Sequence, residues 1–217
     1  HVLTTKKESP FYAVSGITGD SDLLYNSSAK TLKVSPKNNT LVLTAQAANG
    51  VVYKKTFSFD KEYQVVVSTT ISNKGQKEWY GQGYVDFSAS NYIDMKGRKS
   101  IPEANDFNAG SLSREHKSGF FGVTTYVGAA YYKEDSPYNK LTYDEMSTTG
   151  INVKVKDSWI AIQKRYFLAA LVPQKDQTYD LVSQWNSGYL SKDKKKYVQQ
   201  FNIRMLAPTQ TISPGES

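Results

Sequence analysis

The chain has no cysteine. Disulfide staples, thiolate metal ligands and a cysteine nucleophile are therefore excluded. The redox compartment stays open, because envelope and cytosolic proteins can both lack cysteine. Histidine is nearly absent too: His1 is terminal and His116 is the only internal one. A histidine-rich metal centre is excluded by that count. Long apolar runs are also missing. The most apolar stretch, residues 151–173 (INVKVKDSWIAIQKRYFLAALVP), is interrupted by Lys154, Lys156, Asp157, Lys164 and Arg165. It falls well short of the roughly 20 consecutive apolar residues that a membrane-crossing helix needs.

Familiar catalytic signatures are absent as well. Gly81-Gln82-Gly83 is no dinucleotide fingerprint, because Asp86 stands where the third glycine belongs and no βαβ pattern surrounds it. No serine lies in a G-x-S-x-G elbow. Glu115-His116 is the one internal carboxylate–imidazole neighbour pair, and adjacent strand residues point to opposite faces. Asp20-Ser21-Asp22, Glu134-Asp135 and Asp144-Glu145 read as solvated charge, and no calcium-loop spacing follows the first. The sequence thus presents no catalytic, metal-binding or cofactor-binding residues, and it leaves the partner-binding residues unassigned.

What is present is strand. The 217 residues include 16 tyrosines, nine phenylalanines and three tryptophans, which suit a pleated surface. A domain of this length buries about 70% of its unfolded surface, so a core is attainable without staples. We read residues 1–217 as a single domain. The net charge is +7, with the lysines scattered except at Lys192 and Lys194-Lys195-Lys196. Such a balance serves solubility first. It also fits an anionic membrane surface. Nucleic acid is not expected, since no RNP-like aromatic motif accompanies the charge.

Residues 151–173 read as the central strand pair of a large antiparallel sheet, with Asp157-Ser158 as a bend. Thr40 to Ala47 alternates, Asn49-Gly50 follows, and Val51 to Phe59 alternates again. That pattern predicts a hairpin with a type I′ turn. Tyr63 to Ile71 gives another strand, as does Trp79 to Ala89, where Gly81 and Gly83 signal a bulge or close approach. Asn91 to Ser118 reads as a surface excursion. Phe120 to Tyr132 returns to strand, with Gly128-Ala129-Ala130 as a tightly packed middle. One short helix fits within Asn139 to Thr148. Tyr179 to Trp185 is a strand, Asn186-Ser187-Gly188 a turn, and Tyr197 to Met205 the last long strand. Many strands with almost no helix imply an antiparallel sandwich.

Several stretches then carry a resemblance. They are Ser9-Pro10-Phe11, Ser15-Gly16-Ile17-Thr18-Gly19, Ala48-Asn49-Gly50 with Lys55-Thr56-Phe57, and Tyr63 through Gly75. Tyr126-Val127-Gly128-Ala129-Ala130-Tyr131 follows, then Ser158-Trp159-Ile160-Ala161, then Tyr166 to Pro173. In this order the chain resembles the large periplasmic domain of the YidC/Oxa family of bacterial membrane protein insertases. The resemblance implies an all-β supersandwich of two large antiparallel sheets, akin to galactose-mutarotase-like domains, with one or two short helices. It implies a periplasmic location, as one part of a multi-pass inner-membrane protein whose membrane segments lie outside this chain. It implies no enzyme activity and no cofactor. The implied partners are the Sec accessory subunits SecD and SecF, and nascent membrane proteins met through the full-length protein. The region from Phe120 to Pro173 is the expected contact. The alternative is a carbohydrate- or peptide-binding module on the same sandwich.

Overall fold

The computed structural model describes residues 11–18, 23–60, 63–97, 126–164, 167–190, 193 and 195–217. Among these, strands dominate. They are β1 (Phe11–Ile17), β2 (Asn26–Ser27), β3 (Thr40–Gln46), β4 (Val51–Phe59), β5 (Val65–Asn73), β6 (Trp79–Gly81), β7 (Gly83–Asp94) and β8 (Val127–Lys133). There follow β9 (Ser136–Leu141), helix α1 (Tyr143–Thr148), β10 (Asn152–Lys156), β11 (Ile160–Lys164) and β12 (Phe167–Leu171). The chain ends with β13 (Thr178–Leu190), β14 (Lys196–Leu206) and β15 (Gln210–Ile212). The expected all-β, antiparallel architecture with a short helix is what the chain adopts. Its strands are distributed over four sheets. The chain divides into two compact units: residues 1–15 with 84–208, and residues 16–83 with 209–217.

In the first unit, a five-stranded sheet of order β1-β7-β14-β13-β10 accompanies a four-stranded sheet of order β12-β11-β8-β9. Side chains from both meet in one core. Phe87, Leu181, Phe201, Ile203 and Met205 come from the larger sheet, and Ala129, Leu141, Ile160 and Ile162 from the smaller. The two-residue period of β14 explains its central place, since Phe201, Ile203 and Met205 all turn inward. Helix α1 adds Met146 to this core. Thr142 starts the helix with a capping box: its Oγ1 accepts from the Glu145 N–H, and the Glu145 carboxylate accepts from the Thr142 N–H at 2.7 Å. Gly150 stops it at φ +64, a conformation glycine adopts without a Cβ penalty.

In the second unit, β2-β3-β4-β5 form a four-stranded sheet, and β6 pairs with β15. Val51, Tyr53, Ile71, Trp79, Ile17 and Ile212 make its core. The Trp79 Nε1–H donates to the buried Tyr53 hydroxyl at 2.9 Å, with the two rings edge-on. Asn73 ties the C-terminal residues in place. Its Nδ2 donates to the carbonyls of Lys77 and Ile212, each at 2.8 Å, while its main chain bonds Gly215 and Glu216.

Local details depart from the sequence reading in five places. Residues 151–173 are not one central strand pair. β10 is an edge of the larger sheet, while β11 lies inside the smaller one. The bend at Asp157, where φ is +49, marks the change of sheet. The hairpin after β3 exists, but its turn is not type I′. Only Gly50 has positive φ, and the Gly50 N–H donates to the Ala47 carbonyl, so a type I turn is followed by one left-handed residue. Residues 79–89 are split at Gln82 into β6 and β7. A Cβ at Gly81 would meet the Trp79 ring at 2.8 Å, the expected close approach, whereas Gly83 is open. Finally, Asn186-Ser187-Gly188 is no turn, because β13 continues through a register shift to Leu190. β7 likewise runs on to Asp94, past the expected start of the surface excursion. Residues 98–125 lie outside the described part.

Candidate docking surface

The four-stranded sheet of the first unit ends on β12. Its sequence, FLAAL, followed by Val172 and Pro173, carries no charge. Alternation splits it cleanly. Ala169 and Leu171 pack against the core, while Leu168 and Ala170 face outward. Leu168 is 61% exposed and Val172 75% exposed. In register, Leu168 stands opposite Gln163, and Ala170 opposite Ala161. The Tyr138 hydroxyl donates to Gln163 Oε1 at 2.9 Å, and its ring lies 6.1 Å from that of Trp159. Leu168, Ala170, Val172 and the half-exposed Tyr138 thus form an apolar strip with a polar anchor at Gln163. Natural edge strands are commonly guarded by lysine, proline or a bulge. Between residues 167 and 172 none of these occurs.

The small residues behind the strip are held by a buried hydroxyl. The Tyr126 hydroxyl donates to the Ala129 carbonyl at 2.5 Å and accepts from the Leu141 N–H at 3.0 Å, joining β8 to β9. Gly128 leaves room for it, since a Cβ there would stand 2.5 Å from that hydroxyl. Ala129 and Ala130 are fully buried, as the expected tight middle requires.

A second feature is polar and matches no motif. On the outer face of the five-stranded sheet, β7 and β14 pair three rungs in register: Asp86 with Arg204, Ser88 with Asn202, and Ser90 with Gln200. Arg204 donates to both Asp86 oxygens, at 2.6 and 2.7 Å. Its guanidinium lies 4.2 Å from the centre of the Tyr84 ring. The hydrogen bond to Asp86 holds the Arg204 pKa above its ordinary value. Ser88 donates to Asn202 at 2.7 Å, and Gln200 donates to the Tyr12 hydroxyl. Such a face was legible: Asp86, Ser88 and Ser90 alternate with Phe87, and Gln200, Asn202 and Arg204 with Phe201, Ile203 and Met205. The pairing commits both carboxylate oxygens of Asp86 to Arg204.

Asp135 pairs with Lys133 at 3.5 Å on the surface. Glu145 caps α1. Lys195 and Lys196 are exposed where β13 returns into β14. Asp20, Asp22, Glu115, His116, Lys192 and Lys194 lie outside the described residues. Among the described residues, no group of three or more His, Asp or Glu could hold a metal ion, and no helix is long and apolar enough to cross a membrane.

Fold and surface together define an antiparallel β-sandwich with an apolar sheet edge that no strand among the described residues covers. The family model of the YidC periplasmic domain matches residues 1–217. The chain is 32% identical over 197 residues to the membrane protein insertase YidC of Alcanivorax borkumensis, covering 88% of this chain and 29% of that protein. It is 29% identical over 173 residues to the YidC of Legionella pneumophila (strain Corby), covering 77% and 27%. With the YidC of Pseudomonas savastanoi pv. phaseolicola the identity is 24% over 218 residues, covering 96% and 33%. The chain belongs to the YidC periplasmic domain family, the periplasmic part of a bacterial membrane protein insertase. It spans a third or less of the length of these relatives.

Proposed function

We propose that this domain is a non-catalytic docking module, which holds the insertase to the Sec accessory subunits SecD and SecF while nascent membrane proteins engage the full-length protein. Residues 1–217 act in this role as one periplasmic domain, and the contact lies within residues 120–173. One observation carries the reading. β12 and the residue after it present Leu168, Ala170 and Val172 outward from an uncharged sheet edge. An apolar centre of this kind, framed by tyrosine and tryptophan, has the composition of a protein interface core.

The test is copurification of the full-length insertase with SecD and SecF. A Leu168→Glu/Val172→Glu variant is expected to lose the subunits while the isolated domain keeps its melting temperature. Both side chains are exposed, so the fold does not depend on them. Unchanged copurification would remove the contact from β12.

A further inference from the structure

Among the described residues the second unit carries its own open edge, and its geometry is independent of the docking reading. β5 ends the β2-β3-β4-β5 sheet. Its nine residues, VVVSTTISN, contain no charge, no proline and no glycine. Val65 is 48% exposed and Val66 55%, and Ser68, Thr69 and Thr70 are exposed as well. The direction of the main-chain groups follows from Asn73. Its N–H donates to Glu216 at 2.8 Å, and its carbonyl accepts from Gly215 at 2.7 Å. Asn73 therefore forms a non-bonded pair with Val51, its partner on β4. The β4–β5 register is unbroken from Asn73 to Val65. Alternation then points the N–H and C=O of Val65, Val67 and Thr69 away from β4, toward the open edge.

We propose that this edge pairs with β5 of a second copy of the chain, antiparallel about Val67. A two-fold axis there sets Val67 opposite Val67, Val65 opposite Thr69, and Val66 opposite Ser68. The first two kinds of pair exchange main-chain hydrogen bonds, because they use the outward-pointing groups. Every opposed pair is β-branched or small, which favours cross-strand packing, and no like charges meet. The same patch faces itself, as a closed two-fold interface requires. Register about Val67 also keeps the partner clear of Gly215 and Glu216, which occupy the edge at Asn73. Pairing removes Val65 and Val66 from water and extends the four-stranded sheet to eight strands.

One strand pair is a small interface, so the expected dissociation constant lies between about 1 μM and 1 mM. Sedimentation over a concentration series reads it. Val66→Lys/Ser68→Lys opposes lysine with lysine at two places and is expected to raise the constant at least about tenfold. Val66→Lys/Ser68→Glu opposes lysine with glutamate and is expected to retain the dimer. Melting temperatures of both variants report their folding. The chain has no cysteine, so a single introduced one is unambiguous. Val67→Cys is expected to form a disulfide dimer faster than Thr70→Cys. A monomer at every concentration, equal behaviour of the two charge variants, or equal crosslinking at positions 67 and 70 would overturn the proposal. So would an edge that binds only unrelated extended peptides.

Discussion

At the scale of single residues, two buried charges behave oppositely. Asp86 is held by two hydrogen bonds from Arg204. Removing one partner of a buried pair strands the other. Asp86→Asn is therefore expected to cost about 3 kcal/mol in urea unfolding, whereas Asp86→Leu/Arg204→Met recovers most of that loss. Lys55 differs in that burial disfavours its charged form. It is 4% exposed on the core face of β4, with its ammonium 5.0 Å from the centre of the Tyr25 ring. Burial lowers its pKa from the ordinary 10.5. Between that lowered value and 10.5, the unfolded chain keeps a proton that the folded chain has shed. Stability contributed at this site therefore rises with pH through that window and is complete above 10.5. Lys55→Met is expected to flatten this alkaline rise, read as the pH slope of the urea-unfolding free energy. Equal pH slopes for the two proteins would refute the assignment. The alternation that assigns Val51 and Tyr53 to one face places Lys55 there too. Its side-chain chemistry argued for solvent, and only the assembled sheet shows that the backbone period won.

At the scale of elements, the hairpin after β3 was easiest to read, because its signal is local. The capping box of α1 is legible as T-x-x-E at Thr142 and Glu145. Thr142→Ala is expected to cost about 1 kcal/mol of stability, measured by thermal melting. The burial pattern of β14 was equally plain. What the sequence could not reveal was which sheet each strand joins. Residues 151–173 have strand composition throughout, but a single positive-φ residue, Asp157, sends β10 and β11 to different sheets. Turn type failed for a related reason. Asn-Gly permits type I′, yet closing the loop between Ala47 and Val51 with three residues places only Gly50 in the left-handed region. The candidate surface was legible only in part. FLAAL reads as buried strand, and it is the end position in the sheet that exposes Leu168.

At the scale of the whole molecule, charge and connectivity govern. The excess of seven positive charges gives a domain near the inner membrane a reason to approach anionic headgroups. The isolated chain is expected to sediment with vesicles rich in anionic lipid and to be released as salt shortens the Debye length to about 10 Å at 0.1 M. Sedimentation that is indifferent to lipid charge would refute this. The family resemblance rested on ordered short stretches spread along the chain, so it survived the local misreadings of turns and bends.

The second unit is assembled from two pieces of chain separated by 125 residues, from Tyr84 to Pro208. Its last strand, and the carbonyls that Asn73 holds, belong to the later piece. At a translation rate of about 5–20 residues per second, the earlier piece waits roughly 6–25 s for its complement to be synthesised. Through that interval Trp79 lacks the strand that closes over it. A holding chaperone would find its opportunity there, on a half-built lobe.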